Sequence, residues 1–428
     1  MLATIENVTG SASADVLTGD TGANVLDGAG GNDNLAGGGG ADTLLGGAAD
    51  DTLAGGAGAD SLDGGAGINT LDYAASSAAV TINLGAGTAA GGDAAGDVYT
   101  NIQNVTGSGN ADILTGDGNA NLLDGGAGND TVAGGAGADT LTGGTGTDLA
   151  TYAASGTAVT VDLSTGLGTG GDAQGDVLAT IENVTGSDYT DALTGDANAN
   201  ALDGGAGADT LQGGAGADTL TGGAGTDTAT YAASTTGVTV DLAAGTGTAG
   251  DAQGDVLATI ENVTGSGSDD VLTGDTANNA LDGSAGADTL SGAAGDDTLT
   301  GGTGNDQLAG GTGADSLVGG IGLDTADYTA SSSAVTVNLA TGTGSGGDAQ
   351  GDTLATIENV TGSANNDLLT GDGAANMLDG GSGDDTVAGG AGADTLTGGT
   401  GTDTADYTAS ATGVTVSLAT GSGTGGDA

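Results

Sequence analysis

Lysine, arginine and histidine are absent from this 428-residue chain, as are cysteine, proline, tryptophan and phenylalanine. Each absence excludes something. None of the 57 Asp and Glu residues can pair with a protein cation, so a chain at formal charge −57 must offset its own repulsion with counter-ions, with extension, or by staying unfolded. The same lack removes the basic groups that binding to nucleic acid or to an anionic membrane surface requires. Without His, Cys, Lys or Arg there is no activated nucleophile, and no general base near neutrality except a perturbed carboxylate, so no enzyme activity is expected. A carboxylate-pair glycosidase needs a pocket and aromatic platforms, and aromatic residues make up only 2 %. Disulfides are excluded as a means of stabilisation. Neither a long apolar run nor a cationic start followed by an apolar stretch is visible, so no membrane insertion and no signal peptide are expected.

What the chain has is glycine, 96 residues of it, and a period. Apolar residues recur every nine positions from Leu17 to Leu71, Leu114 to Ala150, Leu193 to Ala229, Leu272 to Ala326 and Leu369 to Ala405. These blocks hold seven, five, five, seven and five nonapeptides, twenty-nine in all, and successive blocks are separated by a constant 43 residues from last ladder position to first. Ile5, Ile102, Ile181, Ile260 and Ile357 recur at intervals of 97, 79, 79 and 97, so units differ by 18 residues, two nonapeptides. The expected fold is all-β: a parallel β-roll or β-solenoid with two nonapeptides (18 residues) per coil, coils stacked at about 4.8 Å, and wider spacer coils between blocks. The organisation expected is one continuous repetitive solenoid over 1–428, with tandem units 5–101, 102–180, 181–259, 260–356 and 357–428, the last truncated.

Within a nonapeptide, Gly and Ala supply the turn and three residues a minimal strand whose central Leu points inward. That core is thin, because a buried Leu contributes only about 1.5–3 kcal/mol against the entropy of ordering nine Gly-rich residues. In the spacers, 157–163 (TAVTVDL) alternates as a strand, whereas LATIENVTGS at 178–187, 257–266 and 354–363, nearly repeated at 2–10 and carrying Gln103 in place of Glu at 99–108, is ambiguous between strand and turn. Its Asn-Val-Thr triplets match a glycosylation acceptor but read as turn residues. Tyr73, Tyr152, Tyr231, Tyr328 and Tyr407 hold equivalent places and are expected to pack at the coil edge.

Two residues before every ladder position stands an Asp or an Asn, 23 Asp and 6 Asn. Asn24, Asn121, Asn200, Asn279 and Asn376 fall at the second nonapeptide of each block, and Asn69 ends the first. An 18-residue coil places Asp33 below Asp51 on one edge and Asp42 below Asp60 on the other. Carboxylates stacked so closely repel unless a cation intervenes. Calcium accepts carboxylate and carbonyl oxygens together, magnesium demands stricter geometry, and zinc wants His or Cys. Expected Ca2+ ligands are Asp33, Asp42, Asp51, Asp60, Asp130, Asp139, Asp148, Asp209, Asp218, Asp227, Asp288, Asp297, Asp306, Asp315, Asp324, Asp385, Asp394 and Asp403.

The blocks GGAGNDTVA (125–133), GGAGADTLT (134–142 and 389–397) and GGTGNDQLA (301–309) resemble the haemolysin-type calcium-binding nonapeptide, the RTX repeat, G-G-x-G-x-D-x-U-x. The resemblance implies a parallel β-roll, calcium held by the motif Asp, type I secretion as an unfolded chain, and folding outside the cell. GGAAD at 46–50 and GSAGAD at 283–288 each lack a motif glycine, and Asn69 replaces Asp. The repeat pattern at both ends of the chain reads as a slice of a longer array. The expected function is a calcium-dependent structural module of a secreted or cell-surface bacterial protein, adhesin-like, with self-association or surface attachment as the partner role. The alternatives are a ligand- or ice-binding face, or a carrier region for a catalytic domain outside this chain.

Overall fold

The computed structural model describes residues 5–428. Residues 1–4, which include the start of the first LATIEN segment, lie outside the described residues. One compact unit runs up to Leu211 and takes in Thr221–Gly225; the other comprises Gln212–Leu220 and Thr226–Ala428.

In the first unit the 18-residue coil is written in the strand register. Val16–Thr18 pairs in parallel with Asn34–Gly39, which pairs with Thr52–Ala57, then with Thr70–Asp72, each 18 residues on. The opposite face stacks Asn7–Thr9, Val25–Asp27, Thr43–Ala48 and Ser61–Ala66 in the same way. The second unit repeats this arrangement, for example in Ala280–Asp282, Thr298–Thr303 and Ser316–Ile321. Leu35, Leu53, Leu71 and Leu44 are 0 % exposed, so the two inward ladders are the core. Most strands have three residues because only one side chain in nine must point inward, but Asn34–Gly39 and Thr52–Ala57 continue through the Gly-Gly pair, whose backbone also joins the ladder.

The turns require glycine where coils meet backbone to backbone. Gly144 has φ +111, and a methyl group on it would collide with the Gly126 carbonyl of the coil beneath. Where the sequence departs from the motif the turn is nevertheless kept, with Ala49 at φ 87 and Ser284 at φ 69.

The spacers are more than widened coils. In the first, Thr81–Asn83 folds back antiparallel on Thr88–Ala90, and Val98–Thr100 then lies parallel on Ser61–Ala66. The chain thus climbs, descends and climbs again: Val98 sits over Ser61 (37 residues), Asn104 over Thr70 (34) and Ile113 over Thr81 (32). A single 3-10 turn, Gly92–Ala94, buries Ala94 in the bend. The second spacer places the same meander, Thr160–Asp162, Leu167–Thr169 and Val177–Ala179, on the face of Leu123 and Leu141, the opposite one. In the second unit the third and fourth spacers also take opposite faces. An odd number of nonapeptides between spacers accounts for the alternation, since each nonapeptide crosses the coil once.

The Asn-Val-Thr triplets are a correction. They are strands (Asn104–Thr106, Asn183–Thr185, Asn262–Thr264, Asn359–Thr361), not turns, because their valines stack directly on the ladder: Val105 on Leu71 and beneath Leu123. Among the described residues no helix is long and apolar enough to cross a membrane.

Candidate metal centres

The motif aspartates stand at the coil edges as a hydrogen-bonded ladder. Asp33 donates its backbone N–H to Asp51 Oδ1 at 2.8 Å and Asp42 to Asp60 Oδ1 at 2.7 Å. Asp130 and Asp148, Asp297 and Asp315, and Asp306 and Asp324 are joined in the same way at 2.7, 2.8 and 2.9 Å. One carboxylate oxygen of each residue is therefore spent on the coil beneath.

The second oxygen is not. Oδ2 of Asp33, Asp42, Asp51, Asp60, Asp130, Asp139, Asp148, Asp288, Asp297, Asp306, Asp315, Asp324 and Asp385 is sealed from solvent without a hydrogen-bond partner. It folds back toward the first glycine of its own motif, and for Asp33, Asp42, Asp51, Asp130, Asp148, Asp288, Asp297, Asp306 and Asp324 the next coil directs a carbonyl to the same place. A methyl group on Gly46 would fall 2.5 Å from Asp51 Oδ2 and 2.6 Å from the Gly64 carbonyl oxygen. Two acceptors thus face one glycine-lined space with no donor between them. The arrangement recurs at Gly28 with Asp33 and Gly46, and at Gly301 with Asp306 and Gly319.

A buried carboxylate oxygen without a proton or cation carries its full desolvation penalty. Burial accordingly pushes the carboxyls up, to about 7 for Asp288 and about 6 for Asp130, Asp139 and Asp297, with neighbouring aspartates adding to the rise. Asp51, Asp60, Asp306, Asp315, Asp324 and Asp385 are raised by the same cause. An oxygen-ligated cation fits this donor set, and nothing in the chain offers a substitute charge. Among the described residues no three carboxylates converge on one point, so carbonyl oxygens must form much of any coordination shell.

A family model for the RTX calcium-binding nonapeptide repeat, in four copies, matches residues 9–44, 36–71, 106–141, 115–150, 182–229, 264–299, 291–326, 352–387 and 370–405, more than half of the chain. The chain belongs to this family. No curated protein is similar enough to the chain to be counted as a relative.

The expected RTX ligands do not all share one environment. Asp209, Asp218 and Asp227 are as buried as the rest, at 1, 1 and 0 % exposed. Asp394 is half-buried and Asp403 exposed, although their Oδ1 atoms still accept from the N–H of Asn376 and Asp385 at 3.0 and 3.1 Å.

Three further sets of residues complete the RTX edge. The first aspartate of each block is closed by a serine: Asp112 accepts from the Ser108 N–H and hydroxyl, and Asp191, Asp270 and Asp367 repeat this with Ser187, Ser266 and Ser363. The asparagine of the second nonapeptide does what an aspartate cannot. Asn121 Oδ1 accepts from the Asp117 N–H at 2.8 Å while Nδ2 donates to the Gln103 carbonyl at 2.7 Å. Asn376 bridges Asp372 and Glu358 likewise.

The third set was not foreseen. Asp97, Asp176, Asp255 and Asp352 in the spacers continue the ladder, accepting from the N–H of Asp60, Asp139, Asp218 and Asp315 at 2.9–3.0 Å. Their second oxygens take the hydroxyl protons of Tyr73, Tyr152, Tyr231 and Tyr328 at 2.9–3.0 Å. The tyrosines do pack at the coil edge, 2–3 % exposed, and in addition satisfy a buried carboxylate with a proton. The invariant 24-residue step from each Tyr to its Asp was the available signal. That offset fits no multiple of nine and so stands outside the repeat period.

Proposed function

We propose that the chain is a calcium-dependent structural module of a secreted or cell-surface bacterial protein, disordered without calcium and folded once outside the cell. The observation that carries this reading is the row of buried Oδ2 atoms facing carbonyl oxygens in a chain with no basic residue. Asp33, Asp42, Asp51, Asp130, Asp148, Asp288, Asp297, Asp306 and Asp324 would hold the ions, each with the carbonyl that faces it, Asp60, Asp139, Asp315 and Asp385 would add their buried oxygens, and Asp209, Asp218 and Asp227 take ladder places of the same kind. Bound calcium supplies the positive charge that makes these oxygens compatible with burial. The chain's own part is to fix the turns with glycine, hold Oδ1 on the coil beneath, and exclude water. Sites of the extracellular class, with Kd of about 10⁻⁴–10⁻³ M, empty in a cytosol and fill outside, which makes folding conditional on export. The RTX repeat is a structural repeat rather than a catalytic one, and the lack of His, Cys, Lys and Arg agrees with that.

Far-ultraviolet circular dichroism of the full chain, with excess calcium and then with a chelator, tests the proposal. A β spectrum in calcium and a disordered one after chelation are expected. Identical spectra would reject it.

A further inference from the structure

Where a block ends, the next coil is supplied by a spacer rather than by a nonapeptide, and the edge ladder has to continue across a change of sequence. In the second spacer Asp148 donates its N–H to Glu182 Oε2 at 2.8 Å; in the fourth, Asp324 donates to Glu358 Oε2 at 3.0 Å. A glutamate thus takes the ladder place that the next aspartate would hold. Asp148 and Asp324 are 0 % exposed, and the Oδ2 of each has no hydrogen-bond partner. That oxygen shares its space with a spacer carbonyl. A methyl group on Gly143 would collide with both Asp148 Oδ2 and the Thr180 carbonyl oxygen, and one on Gly319 with Asp324 Oδ2 and the Thr356 carbonyl oxygen. Thr180 and Thr356 adopt φ 51 and 52, a left-handed conformation that a β-branched residue seldom takes.

The first spacer meets the same constraint without charge. Asn69, Asn101 and Gln103 stand where Asp148, Thr180 and Glu182 stand in the second. Asn69 donates its N–H to Gln103 Oε1 at 2.8 Å, and its Nδ2 donates to the Asn101 carbonyl at 3.0 Å. The amide therefore places a proton between the two oxygen-bearing groups. Both positions carry an amide where the second junction carries an acid, 34 residues apart in sequence and brought into contact by the fold. Gln103 also shows that the ladder hydrogen bond needs an acceptor and not a charge, which leaves the carboxylate of Glu182 unexplained by the ladder alone.

We infer that Asp148, the Thr180 carbonyl and Glu182, and likewise Asp324, the Thr356 carbonyl and Glu358, form junction calcium sites, with the spacer glutamate as second carboxylate. The first junction, built from Asn69, Asn101 and Gln103, takes no cation. This inference rests on the calcium reading above and adds to it a ligand from outside the nonapeptide motif.

The test counts calcium ions per full-length chain by equilibrium dialysis at saturating calcium. E182Q keeps the ladder acceptor, as Gln103 does at the first junction, and is expected to keep the β spectrum while losing one ion, as is D148N/E182Q, which copies the Asn69–Gln103 arrangement. The converse variant, N69D/Q103E, is expected to gain one, and its count decides the matter even if the first variant does not fold. If the unaltered chain binds calcium and E182Q keeps the full count, or N69D alone gains the same ion as N69D/Q103E, the glutamate is overturned as a ligand while the wider reading stands. If the unaltered chain binds none, both fall.

Discussion

Replacing Tyr328 with phenylalanine isolates one proton. Tyr328 and Asp352 are each 2 % exposed, and the phenol donates to Asp352 Oδ2 at 2.9 Å while Oδ1 stays on the Asp315 N–H at 3.0 Å. The ring is retained, so packing changes by no more than a hydroxyl, and the loss is that of a buried hydrogen bond to a carboxylate, about 1.5–3 kcal/mol. Urea unfolding in saturating calcium, followed by circular dichroism, reads the loss as a midpoint shift of about 1 M for an m-value near 2 kcal/mol/M. Tyr407→Phe is the control. Tyr407 is only half-buried and its hydroxyl makes no hydrogen bond among the described residues, so a change within about 0.5 kcal/mol is expected. Acid should shrink the Tyr328→Phe deficit. Burial already lifts Asp352 to about 6 and the phenol is one of the groups holding it down, so without the phenol the carboxyl protonates more readily and then tolerates its surroundings. Equal midpoints for the two variants would refute the view that tyrosine replaces a cation at the spacer ladder position.

Protons should partly replace calcium. Asp288 rises to about 7 and Asp130, Asp139 and Asp297 to about 6 from an ordinary 3.8, so the folded, calcium-free chain binds more protons than the unfolded one. The stability these groups contribute is full below about pH 4 and is lost as pH rises through 6 to 7. A chelated chain taken from pH 7.5 toward 5 is expected to gain β signal in circular dichroism at high dilution, and persistent disorder would contradict the raised carboxyls; with calcium present, the calcium midpoint should move to higher concentration over the same range. Asn121→Asp removes the amide that donates to the Gln103 carbonyl at 2.7 Å and sets two acceptors against each other, at a cost of about 1–3 kcal/mol. Its urea midpoint at pH 7.5 should fall, and an unchanged one would show that any acceptor suffices there.

Much of this was legible in the sequence. The nine-residue period gave the 18-residue coil and the inward ladder because side-chain direction along so short a repeat is set locally, by which residue follows the turn. The position of Asp two places before each ladder residue put it at the coil edge for the same reason. The Asn of the second nonapeptide was visible as a pattern and not as a reason, since the carbonyl it reaches, Gln103 or Glu358, lies in the spacer.

Composition and period by themselves determined a parallel roll with acidic edges and no protein cation to neutralise them. Tertiary structure alone decided how the spacers join that roll. There the chain reverses, and coil contacts run at 37, 34 and 32 residues in place of 18, so partners such as Tyr328 with Asp352 or Asn69 with Gln103 share no local period. It also decided that the aspartates are sealed from water. A sequence places them at an edge, but only the stacking of the next glycine turn over each carboxylate turns an exposed acid into a buried oxygen in need of a charge.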